Sequence, residues 1–378
     1  MGQPVIVMAK RTPFGKYAGS LKHLEPEQLL APLWSEIKKS HRAMMPYIED
    51  VILGNVVGNG GNIARKSLLE SGLDMTIPGV TLDRQCGSGL EAVIQACRMV
   101  QAGAGQCYIA GGVESTSRAP WKIKRPQSVY DTTLPQFYER AAFAPEGQDP
   151  SMIEAAENVA HVYHITREDQ DAFALQSHQR TVAHAQDIQR EKVPICIEGA
   201  SFLQDDSVKP RLTARTLSRF KPLLESGTIT VGNSCMKNDG AVLIIVMDEC
   251  LARQLGYETG LQFIDAATKG VDPTILGIGP VPAVQRLLQR QNLTMQDIDA
   301  VELNEAFSAQ VLASQRALDI PGDKLNQWGG ALATGHPYGA SGAALVTRLF
   351  NMKHVQRSIA TMGIGGGMGN AVMFERWS

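Results

Sequence analysis

The stretch "RQCGSGLEAVIQACRMVQAGAGQCYIAGG" at residues 84–112 has a counterpart later in the same chain, "ATGHPYGASGAALVTRLFNMKHVQRSIATMGIGGG" at 333–367. Each passes from a polar, glycine-bearing turn into a helix of small and apolar residues, then into a strand ending in glycines. The flanking segments repeat in the same order. "PVIVMAK", "EQLLAPLWSEIKKS" and "IEDVILGNVVG" in the first half match "LQFIDAATKGV", "PVPAVQRLLQRQNLT" and "DIDAVELNEAF" in the second, and the halves close on "AVLIIVMDE" and "NAVMFERW". Alternating short apolar strands and amphipathic helices, met twice, predict two α/β units with mixed or parallel sheets related by a pseudo-twofold axis.

Between the first half's glycine-ended strand and its closing strand lies a segment of different character. It carries prolines and basic residues ("RAPWKIKRPQ") and a helical pattern over "SMIEAAENVAHVYHITREDQDAFALQSHQRTVAHAQ". An excursion this long with its own helix reads as a functional cap over the substrate. The expected division is therefore 1–118 plus 237–258 for the first half, 119–236 for the insertion and 259–378 for the second half.

Composition narrows the function. A chain of 378 residues, 44% hydrophobic and 20% charged, has the balance of an ordinary soluble enzyme. Its formal net charge of -2 gives no reason to expect nucleic acid or an anionic membrane as a partner. The longest apolar run, "AVLIIVM" at 241–247, falls far short of the roughly 18 residues that span a bilayer. With no signal-peptide pattern at the start, no myristoylation site and no peroxisomal address at the end, the expected location is cytoplasmic. The cysteines, 86, 97, 107, 196, 235 and 250, form no C-x-x-C pair and have no histidine at zinc spacing, so neither a metal site nor a disulfide framework is expected. For any one of them the default is a small buried residue.

The duplication makes a chemical prediction, because equivalent turns of the two halves should face one another across the axis. Cys86 and His336 occupy equivalent turns. At the first turn of a helix Cys86 would feel the exposed N–H groups, which lower a thiol's pKa from about 8.5. His336, between Gly335 and Pro337, is presented rigidly. Asn304 and Glu305 end one strand of the second half and the glycines at 363–367 end its neighbour, where ligands of open α/β sheets bind. Each residue alone has a plain structural reading: a packed cysteine, a turn-capping histidine, a turn-forming asparagine. Together they describe a nucleophile, an imidazole, a polar donor and a run of backbone N–H groups suited to a thioester oxyanion.

These residues resemble the thiolase family closely. The matching pieces are "DRQCGSGLEAV", "AGGVESTSRAPW", "AENVAHVYHITREDQDAFALQSHQRT", "GNSCMKNDGAVLI", "ELNEAFSAQ", "GGALATGHPYGASGA" and "GIGGGMGNAV". They run in family order, and "VIVMAKRTPFGKYAGSL" extends the match to essentially the whole chain. The resemblance implies a five-layered αβαβα sandwich with an inserted loop domain that binds coenzyme A, a homodimer or homotetramer, and acyl transfer between coenzyme A thioesters without a permanently bound cofactor. It matches Cys86 to the acylated nucleophile, and His336 to the imidazole that activates it and helps form an oxyanion hole. Asn304 falls at the residue that holds that hole's water. The N–H groups of Cys86 and Gly365 would form a second hole, and Met152, Ala306 and Phe307 fall at positions lining the pantetheine or acyl pocket. Ketoacyl synthases share the duplicated fold but lack the paired "NEAF" and "GHPYGASG" motifs.

One departure bears on the chemistry. Ordinary members carry a second cysteine just before "IGGG", which shuttles the α-proton in carbon–carbon bond making or breaking; this chain has Gly363. A branch of the family carries it inside the "NEAF" motif, where this chain has Ala306. Cys235, in "GNSCMKNDG" where the family has serine near the bound thioester, is a candidate substitute acid/base; its plain alternative is a packed cysteine of the coenzyme A loop. The expected activity is acetyl-CoA C-acetyltransferase or 3-ketoacyl-CoA thiolase chemistry in fatty acid metabolism. The alternatives are a diverged acyl-CoA hydrolase or heteroatom acyltransferase that has lost the carbon–carbon step, and a non-catalytic scaffold on the same fold.

Overall fold

Strand Asn238–Asp248 shows why the chain forms layers. Along it Val242, Ile244 and Val246 pack in one core cluster while Leu243, Ile245 and Met247 pack in another, so both faces of the sheet are covered. A period of two with apolar residues on both sides is what a sheet buried between helices requires. In the computed structural model, which describes all residues except 1, 127, 131 and 139, this strand pairs antiparallel with Pro4–Arg11 on one side and with Cys107–Ser115 on the other. Cys107–Ser115 pairs parallel with Ile48–Gly54, which pairs parallel with Gly79–Leu82.

The second half repeats this arrangement. Gly260–Gly270 pairs antiparallel with Met368–Trp377, Met368–Trp377 antiparallel with Arg357–Ile364, and Arg357–Ile364 parallel with Ala300–Leu303. Where the first half has its short edge strand, the second has a single parallel bridge from Val301 to Leu325. The sheets join where Pro4–Arg11 meets Gly260–Gly270 antiparallel, at Val5–Gln262 and Ile6–Leu261. This is the pseudo-twofold relation expected from the repeat, joined through the equivalent first strands.

Helices Ser88–Ala102 and Tyr338–Asn351 share one core with the inward faces of both sheets, through Leu90, Val93, Val346, Leu349, Ile244, Met362 and Phe374. Outer helices cover the other faces: Pro26–Ser40 and Ile63–Glu70 on the first sheet, Pro280–Gln291 and Ser308–Ala317 on the second. The result is the expected five-layered αβαβα sandwich. The central helices approach so closely that a Cβ on Gly89 would lie 2.6 Å from the Gly339 carbonyl oxygen, and one on Gly342 would lie 2.4 Å from the Leu90 nitrogen. Glycine at these places brings the two equivalent turns together.

The segment between the Cys107–Ser115 and Asn238–Asp248 strands differs from expectation in one respect. The single helical pattern is three helices, Met152–Val162, Arg167–Ala183 and Ala185–Gln189. Thr166 ends the first turn-out by accepting from the Asp169 N–H, an N-cap that starts a new helix, and His164 takes a positive φ of 51°. A buried ion network ties the segment to the sandwich. Arg11 binds Glu191 and Asp205 at 2.8 Å, Lys192 binds Asp205 at 2.7 Å, and Arg348 of the central helix binds Glu191.

Candidate active site

Cys86 does not sit in the first turn of its helix. The helix begins at Ser88 with Gly87 as its N-cap, and Cys86 lies in the tight turn before it, where Gly87 N–H donates to the Arg84 carbonyl and Ser88 N–H to that of Gln85. Gln85 holds a positive φ of 47°, which sets Cys86 at the head of the turn. Its side chain is half-buried and packs on the central core. The expected lowering of its pKa is not found: burial pushes the thiol up to about 11, while the neighbouring N–H groups of Cys86 itself and of Gly365 act in the opposite sense. Desolvation outweighs the two donors, so the resting group is a neutral thiol.

Gly365 reaches Cys86 because the strand Arg357–Ile364 ends against the turn. A Cβ on Gly87 would lie 2.5 Å from Ile364 Cδ1. From the other side Phe143 covers the glycines, since a Cβ on Gly365 would meet its ring at 2.9 Å. The Arg140 guanidinium stacks 4.2 Å from the centre of that ring and pairs with Asp149 at 2.8 Å. Sequence reading missed Phe143, because the irregular chain around it has no period from which to infer its direction.

His336 is buried, and burial holds its pKa down to about 4, so the imidazole is neutral. Its Nδ1 lies 2.6 Å from Ser341 Oγ, and that hydroxyl lies 2.9 Å from the Pro337 carbonyl oxygen. The hydroxyl has one proton to give. When Pro337 takes it, Nδ1–H must donate to Ser341, and Nε2, which has no partner, carries the lone pair. Ser341 was also missed, although its place five residues after His336 on the following helix was open to inspection.

The remaining residues are stitched around this pair by the chain from 233 to 237. Ser308 N–H donates to the Asn233 carbonyl, Cys235 N–H to that of Ala306, and His336 N–H to that of Met236, each at 2.9 Å. Single bridges join Ser234 to Phe307 and Lys237 to His336. Cys235, Ala306, Phe307 and Gly363 are half-buried, as Cys86 is, so they border an accessible cleft. Phe307 packs with Ile153 and Val159 of the inserted helix that Met152 opens. That helix starts with a capping box in which Ser151 and Glu154 satisfy one another's backbone N–H groups.

Asn304 follows the Ala300–Leu303 strand with its N–H on the Thr361 carbonyl, and it borders a cavity of about 30 Å³ together with Ser341, Glu302 and Arg348. That is room for one or two waters. Glu305 turns away from the cleft and accepts from Ser177 Oγ at 2.6 Å, Asn326 Nδ2 at 2.9 Å and Leu332 N–H at 3.1 Å. Behind the cleft, Glu114 accepts from the backbone N–H groups of Val56, Val57 and Gly339 and from the Asn55 amide. Among the described residues no group of His, Cys, Asp and Glu side chains could hold a metal ion.

A half-buried thiol, two backbone N–H groups converging on it, and a neutral imidazole with one free nitrogen are the parts of a covalent acyl-transfer site. Comparison with known proteins agrees. Residues 4–250 match the family model described as thiolase, N-terminal domain, and residues 259–376 match that described as thiolase, C-terminal domain. A protein of Staphylococcus epidermidis named "Putative acetyl-CoA C-acetyltransferase VraB" is 68% identical over all of this chain and 99% of its own length. The protein of that name in Staphylococcus aureus is 61% identical over the whole of both. Among solved structures, the acetyl-CoA acetyltransferase of Bacillus anthracis superposes with a TM-score of 0.95 at 32% identity, covering 100% of this chain and 99% of that one. Human mitochondrial 3-ketoacyl-CoA thiolase in complex with CoA gives 0.93 at 31%, covering 100% and 98%. The chain belongs to the thiolase family.

Proposed function

We propose that this thiolase-type acyltransferase acts on acetyl-CoA and 3-ketoacyl-CoA through an acyl group carried on Cys86. The observation that carries the assignment is the convergence of the Cys86 and Gly365 N–H groups on the Cys86 thiol. The same donors would face the oxygen of an acyl-Cys86 thioester, where each is worth about 3 kcal/mol to a tetrahedral intermediate. His336 Nε2 takes the Cys86 proton as the thiol attacks, which a resting thiol with a raised pKa requires. Asn304, buried just after its strand, holds the water of the other oxyanion site. Met152, Ala306 and Phe307 line the path of the acyl and pantetheine chain, and Glu305 positions the turn that precedes His336.

Residues 119–236 are the coenzyme A loop domain between the halves 1–118 plus 237–258 and 259–378. Its basic residues Lys124, Arg125, Arg219 and Lys221 are exposed and available to the coenzyme A phosphates. Coenzyme A and acyl-CoA are substrates, with no permanently bound cofactor. A homodimer or homotetramer is supported by the outer edge of Gly79–Leu82, which ends the order of strands, and by the exposed Trp121, Leu134 and Phe137 around the hairpin of Lys122–Ile123 and Phe137–Tyr138. No helix among the described residues is long and apolar enough to cross a membrane, and we assign the enzyme to fatty acid metabolism in the cytoplasm. Family membership does not favour the hydrolase, heteroatom-transferase or scaffold alternatives.

The test is incubation with acetoacetyl-CoA and free coenzyme A, followed by mass spectrometry. Two acetyl-CoA per substrate and an acyl adduct on Cys86, absent from Cys86→Ala, are expected. Acetoacetate as the product, or an adduct that persists in the variant, overturns the assignment.

A further inference from the structure

We propose that Cys235 is the acid/base group of the carbon–carbon step, facing Cys86 across the cleft and doing this work with no thiol at residue 363 or 306. The inference rests on the thioester chemistry assigned to Cys86 above. Breaking a bond between the α-carbon of a thioester and a ketone leaves an electron pair on that carbon, and the pair must receive a proton. At that moment Cys86 carries the acyl group and His336 holds the proton that Cys86 gave up. Because His336 keeps that proton for the Cys86 sulfur when it is later expelled, we assign the protonation of the carbon to a third group.

The structure leaves few choices. Glu305 is committed to Ser177, Asn326 and Leu332, and Glu114 to four donors behind the cleft. Asp83 is exposed and takes the Gln85 N–H at 2.6 Å. Of the six cysteines, Cys97 and Cys107 are fully buried and Cys196 and Cys250 are exposed; only Cys86 and Cys235 are half-buried. The latter two are close enough that charge on Cys86 acts on Cys235.

The backbone fixes where Cys235 stands. Its own N–H is bonded to Ala306 and the next carbonyl to the His336 N–H, both at 2.9 Å, while Ser234 and Lys237 bridge to Phe307 and His336. The residue is thus clamped between the Asn304–Phe307 turn and the His336 turn. Burial, then the neighbouring Cys86, push its thiol up to about 12. It therefore holds a proton at rest, as a donor to a carbanion must.

In thiolysis, His336 Nε2 takes the Cys86 proton and the sulfur attacks the ketone. The tetrahedral alkoxide collapses, the bond between the α-carbon and the former ketone carbon breaks, and its electron pair takes the proton of Cys235. Acetyl-CoA leaves, with acyl-Cys86 and a Cys235 thiolate behind. The incoming coenzyme A loses its thiol proton to water, from which Cys235 is reprotonated, and its thiolate sulfur attacks acyl-Cys86. The Cys86 sulfur is expelled and recovers its proton from His336, and every group is restored.

The experiment compares the whole protein with Cys235→Ser and Cys235→Ala, reading acetylation of Cys86 by intact mass and deuterium wash-in at the acetyl α-carbon of acetyl-CoA in D2O. Both variants are expected to form acetyl-Cys86 at near the wild-type rate and to lose wash-in by about 10² to 10⁴-fold, the usual span for a general acid/base. Wash-in at the wild-type rate in either variant overturns the proposal. So does loss of acetylation and wash-in in equal proportion, which would mark a packing role. A wild-type protein that never acetylates Cys86 overturns the thioester assignment itself.

Discussion

His336 Nδ1 and Ser341 Oγ lie 2.6 Å apart within a buried turn, and the hydroxyl proton belongs to the Pro337 carbonyl. The serine thereby selects the imidazole tautomer whose free nitrogen is Nε2, the nitrogen proposed above to take the Cys86 proton. Ser341→Ala removes that selection and leaves Nδ1–H without an acceptor. We expect kcat to fall about 10- to 100-fold with little change in KM, as measured by thiolysis of acetoacetyl-CoA. An unchanged kcat would show that the tautomer is set elsewhere.

The resting state of Cys86 gives a pH prediction. Its thiol is pushed up to about 11 by burial and His336 is held down to about 4. Alkylation of Cys86 by iodoacetamide in the absence of substrate should rise through pH 8, 9 and 10 without levelling off, because the thiolate fraction keeps growing up to about 11. A plateau below pH 8 would contradict this. On the acid side, protonation disables the base only as pH falls toward 4, so kcat/KM should hold between pH 7 and 5 where an ordinary histidine would already be titrating.

Gly363 and Gly335 should respond oppositely to a side chain. At Gly363 the nearest atoms to a new Cβ are the carbonyl oxygens of Leu276 and Gly277 at 3.4 Å, an ordinary contact. Gly363→Cys is expected to change stability by less than about 1 kcal/mol, and in a Cys235→Ser background to restore part of the lost deuterium wash-in. At Gly335, where φ is 93° and a Cβ would lie 2.0 Å from Asn238 Oδ1, Gly335→Ala should lower the melting temperature and displace His336. Equal tolerance at the two sites would refute the geometry.

Asp205 ties the insertion to the sandwich through Arg11 and is braced within the insertion by Lys192, with almost no solvent contact, and the two cations keep its carboxyl well below the usual range despite burial. Asp205→Ala leaves the buried Lys192 without its carboxylate and Arg11 with Glu191 alone. A loss of about 3–5 kcal/mol is expected in chemical denaturation, with Cys86 acylation preserved in the fraction that remains folded. A loss below about 1 kcal/mol would mean that water reaches the site.

Much of this architecture was legible in the order of residues because it depends on local pattern. A period of two in "AVLIIVM" marks a strand with two covered faces, and the twice-met sequence of turn, small-residue helix and glycine-ended strand places Cys86 and His336 in equivalent turns. What followed from that repeat, two like α/β units about a pseudo-twofold axis with their equivalent turns facing, was therefore available before any coordinate. The helical pattern over 151–186 was read too simply. Periodicity runs through His164 and Thr166, and only the cap at Thr166 reveals the break.

Tertiary structure decided the quantities that depend on surroundings. The sequence supplies a glycine beside Cys86 and an expectation of N–H groups, but the sign of the thiol's pKa shift depends on how much water the packed core removes, and there desolvation wins. The Ser341 contact, the Phe143 ring over Gly365 and the clamping of Cys235 between Ala306 and His336 join residues far apart in the chain or around a turn whose direction no period encodes. Sequence alone determined which groups this protein owns and which half each belongs to. Folding determined which of them lose their water and which protons they keep, because solvation and direction belong to the packed assembly rather than to any segment of it.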